Sequence, residues 1–188
     1  MGEEVIIRSA EQKDISGILE VQKGQLLKNK SLRSAEKEGF LVYPLSEDEL
    51  KNLISSEDVF SIVAEFGGKI VGYALAYDLK KWREVKPKFD KRILVTSSVK
   101  NHLIDDRVIY FRHVARFDNF SGVGKSLEEE IYSLARKRGL GFVIAEILES
   151  PLKNRKSLEV HKKRGFVKIG HVDYLDGNFW GLYEKKLF

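Results

Sequence analysis

The stretch VFSIVAEFGGKIVGYALAYDL, Val59 to Leu79, is two β-rich runs with only Gly67-Gly68 between them. β-branched and aromatic residues suit a pleated strand, and a glycine pair accepts the positive φ of a two-residue turn. The segment therefore predicts an antiparallel hairpin. The remaining elements have to cover the sheet this hairpin begins. EVIIRSA reads as a short strand, after which Asp14 caps a helix with Ile15, Ile18 and Leu19 inward, and SEDELKNLI from Ser46 is a second helix with acids in its first turn. Residues 80–106 read as a long polar connection. RVIYFRHVARF from Arg107 is a strand, GFVIAEI another, and KNRKSLEVHKKR a basic helix ended by Gly165. FVKIGHVDYLDGNFWGLYEKKL is a second hairpin turning at Asp176-Gly177. No Pro/Gly/Ser-rich linker divides the 188 residues, so a single domain over 1–188 is expected.

Composition narrows the chemistry. The chain has no cysteine, which excludes disulfides, thiolate catalysis and Cys-based zinc sites. Its four histidines, at 102, 113, 161 and 171, show no H-E-x-x-H spacing, so no metal is expected. A net charge of +5 favours anionic ligands, but 33 basic against 28 acidic residues is a mixed surface, and nucleic acid is not indicated. Between Lys80 and Lys100 lies a local basic cluster that fits either a binding surface or a solvated loop. No apolar run is long enough to span a bilayer, and the acidic start MGEEVIIRSAEQKD lacks the features of a signal peptide. The expectation is a soluble, cytoplasmic protein with no membrane association; a homodimer is left open.

NFSGVGKSLEEEIYSLARK, Asn119 to Lys137, resembles the end of a phosphate-cradling P-loop, G-x-x-x-x-G-K-[ST], but Asn119 stands where the opening glycine is required. The physics is more general than that motif. Gly122 and Gly124 permit close backbone approach, and the helix that follows offers unpaired N–H groups and a positive dipole end to an anion. Leu127, Ile131, Leu134 and Ala135 share one face of that helix. A glycine pair alone more often marks an ordinary turn, so the rest of the chain must decide.

Several segments together resemble the GNAT superfamily of N-acetyltransferases. IIRSAEQKDISGI resembles its opening strand and helix, GGKIVGYALAY its central hairpin, and NFSGVG its pyrophosphate loop, Q/R-x-x-G-x-G/A. NRKSLEVHKKRGF is similar to its pattern N-x-x-A/S-x-x-x-Y-x-K-x-G-F, with Asn154, Ser157, Lys163, Gly165 and Phe166 matching. The resemblance implies an α/β (α+β) fold, a mixed and mostly antiparallel central sheet of about six to seven strands flanked by about four helices. It also implies acetyl-CoA as co-substrate with no metal, and acetyl transfer to a primary amine by direct attack.

By the same resemblance, Asn119, Phe120, Ser121, Gly122, Val123, Gly124, Lys125 and Ser126 would hold the pyrophosphate. Val114, Ala115 and Arg116 would pair with the pantetheine arm, Asn154 and Ser157 would belong to the cofactor site, and Arg155 and Lys156 would be candidates for the 3′-phosphate. Two positions depart from the family pattern: Asn119 replaces Gln or Arg, and His161 stands where a tyrosine commonly protonates the thiolate. The catalytic candidates are Glu146, as base for the amine and preferred over Glu149, and His161, as source of a proton or a hydrogen bond. His113 reads as structural. Phe40, Tyr43, Trp82 and Phe89 are candidate acceptor-pocket aromatics. Other readings are an acyl-CoA-binding domain without activity, a basic partner-binding module and, more distantly, a P-loop nucleotidase.

Overall fold

The glycine pair of the first hairpin sits at positive φ in both residues, 55° at Gly67 and 74° at Gly68, the geometry a twisted hairpin needs. The computed structural model describes residues 4–85, 93–95, 107–173 and 177–188. In chain order the elements are β1 (Ile6–Ser9), a 3-10 turn (Gln12–Asp14), α1 (Ile15–Gln25), a second 3-10 turn (Leu27–Asn29), α2 (Leu32–Glu38), α3 (Glu47–Ile54), β2 (Val59–Phe66) and β3 (Lys69–Asp78). There follow α4 (Leu79–Val85), β4 (Ile93–Val95), β5 (Val108–Arg116), α5 (Val123–Lys137), β6 (Phe142–Ser150), α6 (Arg155–Lys163), β7 (Val167–Asp173) and β8 (Phe179–Lys186).

The strands form one sheet in the order β1-β2-β3-β5-β6-β8-β7-β4, antiparallel throughout except for β5 beside β6. One parallel pair is far from the doubly wound sheet of a nucleotidase. The described residues form eight strands and six α-helices where about six to seven and about four were expected. The additions are α2, α4 and β4, all short, and α4 and β4 lie within the segment read as a polar connection. Phe89 and Asp176 lie outside the described residues.

Each face of the sheet buries its own apolar cluster. Tyr73, Leu75, Tyr77, Tyr110 and Ile144 pack against α1 and α3 on one face. Ile109, Phe111, Val143 and Ala145 pack against Leu127, Ile131 and Ala135 of α5 on the other. Asp14 is used differently from the cap that was expected: its carboxylate accepts the Glu11 N–H at 2.8 Å and both ends of the Arg8 guanidinium at 2.7 and 2.8 Å. A 3-10 turn thus precedes α1, and Arg8 ties β1 to the turn while also bonding Glu65.

Gly72 of β3 sets how closely α5 approaches the sheet. A Cβ there would lie 2.9 Å from Val123 Cγ1 and 3.1 Å from the Ala115 carbonyl oxygen. Gly72→Ala is expected to destabilise the fold by about 1–3 kcal/mol through overpacking, read as a lower denaturant midpoint. An unchanged midpoint would mean that the start of α5 gives way freely.

Candidate active site

Parallel pairing of β5 with β6 covers only four residue pairs, Val108↔Phe142 to Phe111↔Ala145. Beyond them the strands separate, although β5 continues to Arg116 along β3 and β6 continues to Ser150 along β8. A fork opens between them, and its inner edges carry backbone donors and acceptors that no strand among the described residues takes up. The fork is widened by a bulge in β5: Leu75 opposes His113 but Ala76 opposes Phe111, so Arg112 is an extra residue. A cleft of about 380 Å³ occupies the fork, floored by β5 and β6 and walled by 38–43, α6 and the start of α5.

At one end of the cleft stands the N-terminus of α5. Gly122 is its N-cap at φ 87°, no side chain caps it, and no acid lies in its first turn. The dipole end therefore faces the cleft unneutralised. The structure divides the predicted 119–126 loop. Gly122, Gly124 and Lys125 line the cleft, and a Cβ at Gly124 would meet nothing within 4 Å. Val123 instead packs in the core, while Ser121 and Ser126 are exposed outside the lining. Asn119 and Phe120 turn to the opposite side of the loop, because the Phe120 ring packs edge-on against Phe66 at 5.4 Å. Of the β5 residues, Val114, Ala115 and Arg116 line the cleft. The Arg116 guanidinium is engaged with the loop, donating to the Phe117 and Asp118 carbonyls at 2.7 and 2.9 Å.

α6 contributes the opposite wall. The Asn154 carbonyl oxygen accepts the Ser157 N–H at 3.2 Å, and its NH₂ donates to the Phe40 carbonyl at 2.9 Å. Asn154 thus caps α6 and tethers 38–43, and it also lines the cleft. Ser157 and Lys156 line the cleft; Arg155 is exposed outside it. His161 Nδ1 lies 2.8 Å from the Ser157 carbonyl oxygen, so that nitrogen carries the proton and Nε2 holds a lone pair. Burial lowers the His161 pKa, with Glu128 pulling the other way. A neutral imidazole with its free nitrogen unprotonated is a hydrogen-bond acceptor, not a resting proton donor.

At the fork itself Glu146 accepts a hydrogen bond from the Tyr110 hydroxyl at 3.1 Å. Trp82 stacks on the Tyr110 ring at 4.8 Å, so this predicted pocket aromatic serves from behind the wall, whereas Phe40 and Tyr43 line the cleft. Burial, reinforced by Glu146, pushes the Tyr110 pKa well up and keeps the phenol a donor. Burial works against the Arg112 charge, but Tyr110, Tyr77 and Glu146 outweigh it and raise the pKa. Glu149 is turned away from the cleft, bonded to Lys168 and to the Tyr183 hydroxyl, each at 2.6 Å.

Two other cleft-side features have no local sequence signature. Lys30, its side chain 4% exposed, bridges Glu38 at 3.2 Å and Asp118 at 3.8 Å, joining the α1–α2 connection to the loop before α5. Glu128, 2% exposed inside α5, accepts from the Tyr132 hydroxyl and pairs with Arg164.

No family model and no curated protein matches the sequence. Solved structures do match. The ribosomal-protein-S18-alanine N-acetyltransferase of Escherichia coli superimposes with a TM-score of 0.63 at 13% identity, over 98% of this chain and 94% of that one. PaiA N-acetyltransferase of Thermoplasma acidophilum, solved with coenzyme A, gives 0.63 at 15%, over 97% and 99%. yncA of Salmonella typhimurium, a putative acetyltransferase solved with acetyl-CoA, gives 0.63 at 17%, over 98% and 95%. The chain has the GNAT fold. In this GNAT fold the central hairpin, the strand carrying Val114 to Arg116, the glycine loop with its helix and the helix after Asn154 follow in the order that the sequence resemblance implies. No helix among the described residues is long and apolar enough to cross a membrane.

A buried histidine, His113, and a half-buried one, His161, make the stability of this GNAT fold pH-dependent. Burial lowers both, His113 well below its ordinary range, and the His113 ring lies 3.1 Å from the Tyr73 hydroxyl. The unfolded chain, with histidine pKa about 6.5, therefore binds more protons than the folded one in acid. The stability from keeping these rings neutral is complete above about pH 6.5 and is lost as pH falls toward the folded-state values. Each ring contributes a slope of up to about 1.4 kcal/mol per pH unit in that window. Denaturant midpoints should fall from about pH 7.5 to about pH 5.5, and His113→Asn should flatten the decline; an unaltered slope would assign it to other groups.

Proposed function

We propose that the protein transfers an acetyl group from acetyl-CoA to a primary amine by direct attack. The observation carrying this reading is the fork, whose unpaired β5 edge leads from the uncapped start of α5 to Glu146. The pyrophosphate would meet the N–H groups of Gly122 to Gly124 and the Lys125 charge, an arrangement that needs no metal. The pantetheine arm would pair as a strand with the free edge of β5 at Val114 to Arg116, bringing the thioester to the fork.

The reaction then balances as follows. The amine gives its extra proton to Glu146 directly or through water, and the nitrogen lone pair attacks the thioester carbonyl carbon. A backbone N–H of β5 near Val114 and Ala115 stabilises the oxyanion. The C–S bond breaks with its electrons on sulfur, the nitrogen releases its surplus proton to water to leave the neutral amide, and the thiolate, with a conjugate-acid pKa of about 8.5 by analogy with cysteine, takes up a proton from water in turn. The neutral His161 serves the product by accepting the S–H on Nε2. His161→Phe should therefore cost turnover less than the roughly 10²-fold typical of a lost general acid. A larger loss, with acetyl-CoA affinity unchanged, would make His161 a proton donor.

The test is thiol release from acetyl-CoA with a panel of amines, alongside calorimetry with coenzyme A and with ATP and Mg²⁺. Release with at least one amine and magnesium-independent coenzyme A binding are expected. Tight coenzyme A binding with no turnover on any amine would make the protein a binding domain. Magnesium-dependent ATP binding in place of coenzyme A would restore the nucleotidase reading.

A further inference from the structure

Phe111 and Ala145 are the last paired residues of the fork, so Arg112 and Glu146 are the first residues beyond the seam, one on each arm. The two arms thus begin with opposite charges across a gap, and both residues line the cleft. Arg112 is there because of the bulge, which adds it to β5 beside the tyrosines of the sheet. Its side chain is half-buried, and among the described residues no carboxylate closes an ion pair on its guanidinium. The other cations of the cleft have occupations or positions elsewhere. Arg116 clamps the loop carbonyls, Arg164 pairs with Glu128, and Lys125 and Lys156 belong to the α5 and α6 walls.

A guanidinium held half out of water by tyrosines keeps several donors in a planar fork, a shape matched to a carboxylate. It cannot lose its charge, so an anion arriving beside it recovers solvation that burial has removed. The chemistry proposed above already requires an amine at Glu146. An acceptor bearing both groups would satisfy both arms at once, ammonium toward Glu146 and carboxylate toward Arg112. Tyr43 and Trp180, stacked at 5.9 Å, and Phe40 add apolar surface beside the fork for a side chain.

We infer that the acceptor is a small amine carrying a carboxylate, of the α-amino acid class, bound through Arg112 and acetylated on the nitrogen that faces Glu146. The inference rests on the acetyl-transfer reading and adds the acceptor's class. Its test compares acceptor pairs that differ only in the carboxylate: phenylalanine with phenethylamine, and leucine with isoamylamine, following thiol release from acetyl-CoA. The amino acid of each pair is expected to show a kcat/KM roughly ten- to a hundredfold higher, the range for a charge-assisted hydrogen-bonded pair. In Arg112→Gln that ratio should fall toward one, chiefly through KM of the amino acid. Arg112→Lys, which keeps the charge, guards against misfolding and should retain only part of the ratio.

Turnover in which the plain amines equal or exceed their amino acids would overturn this inference and leave acetyl transfer standing. So would a ratio that survives in both variants. A loss in the variants that is equal for all acceptors and tracks acetyl-CoA affinity would assign Arg112 to the thioester, also overturning it. Absence of both coenzyme A binding and thiol release would instead overturn the acetyl-transfer reading on which it stands.

Discussion

Gly124→Glu is expected to abolish acetyl-CoA binding while leaving the fold intact. Gly124 faces the cleft in the first turn of α5, and a side chain there meets no neighbour within 4 Å. Glutamate is a better helix former than glycine, and its charge suits the positive end of the helix, so thermal stability without ligand should hold or rise. The same carboxylate would occupy the space proposed for the pyrophosphate. Like charges about 4 Å apart at an effective dielectric of 20 repel by about 4 kcal/mol, which corresponds to a loss of roughly 10²- to 10³-fold in affinity. Calorimetry with coenzyme A, beside thermal melting of the unliganded variant, reads both halves. Unchanged affinity in a folded variant would move the phosphate site away from α5.

The second large effect belongs to Glu146→Gln. Glutamine retains an acceptor for the Tyr110 hydroxyl, so the wall of the fork should keep its shape while losing the base. At neutral pH an alkyl amine of pKa about 10.4 is almost wholly protonated, and removing its proton acceptor should lower kcat/KM by about 10²- to 10⁴-fold. The deficit should shrink as pH rises and the amine deprotonates unaided. Glu149→Gln is the control: its carboxylate faces Lys168 and Tyr183 away from the cleft, so neutral-pH turnover should stay near that of the parent protein. The reverse pattern would exchange the two glutamates. Parent-like rates in both variants would leave the proton to water alone.

Local pattern made much of this legible. The glycine-pair hairpin, the α5 stripe of Leu127, Ile131 and Ala135, and the glycine after α6 depend on neighbours in sequence, and each stands in the structure where it was expected. α2 buries only Ala35 and α4 spans just seven residues, too little to write a period, and β4 exists through its pairing with β7. Glycines likewise announced the loop, but not which of its residues face the cleft; Phe120 followed its ring onto Phe66. Arg112 owes its place to a mismatch of register between β3 and β5, and Asn154 bonds a carbonyl far away at Phe40. The tautomer of His161 depends on the Ser157 carbonyl and its lowered pKa on burial, neither of which a motif records. Long-range pairing decided these positions, and a single sequence reports it only indirectly.

The four-pair seam between β5 and β6 has a mechanical meaning as well. Among the described residues it is the one place where β1-β2-β3-β5 is stitched to β6-β8-β7-β4 by strand hydrogen bonds, so the sheet consists of two leaves with a narrow binding. A ligand that adds backbone bonds along the open part of the fork acts there as a missing strand. Occupancy then spreads beyond the contacted atoms: amide hydrogens in both leaves exchange more slowly, and the leaves open together instead of one at a time.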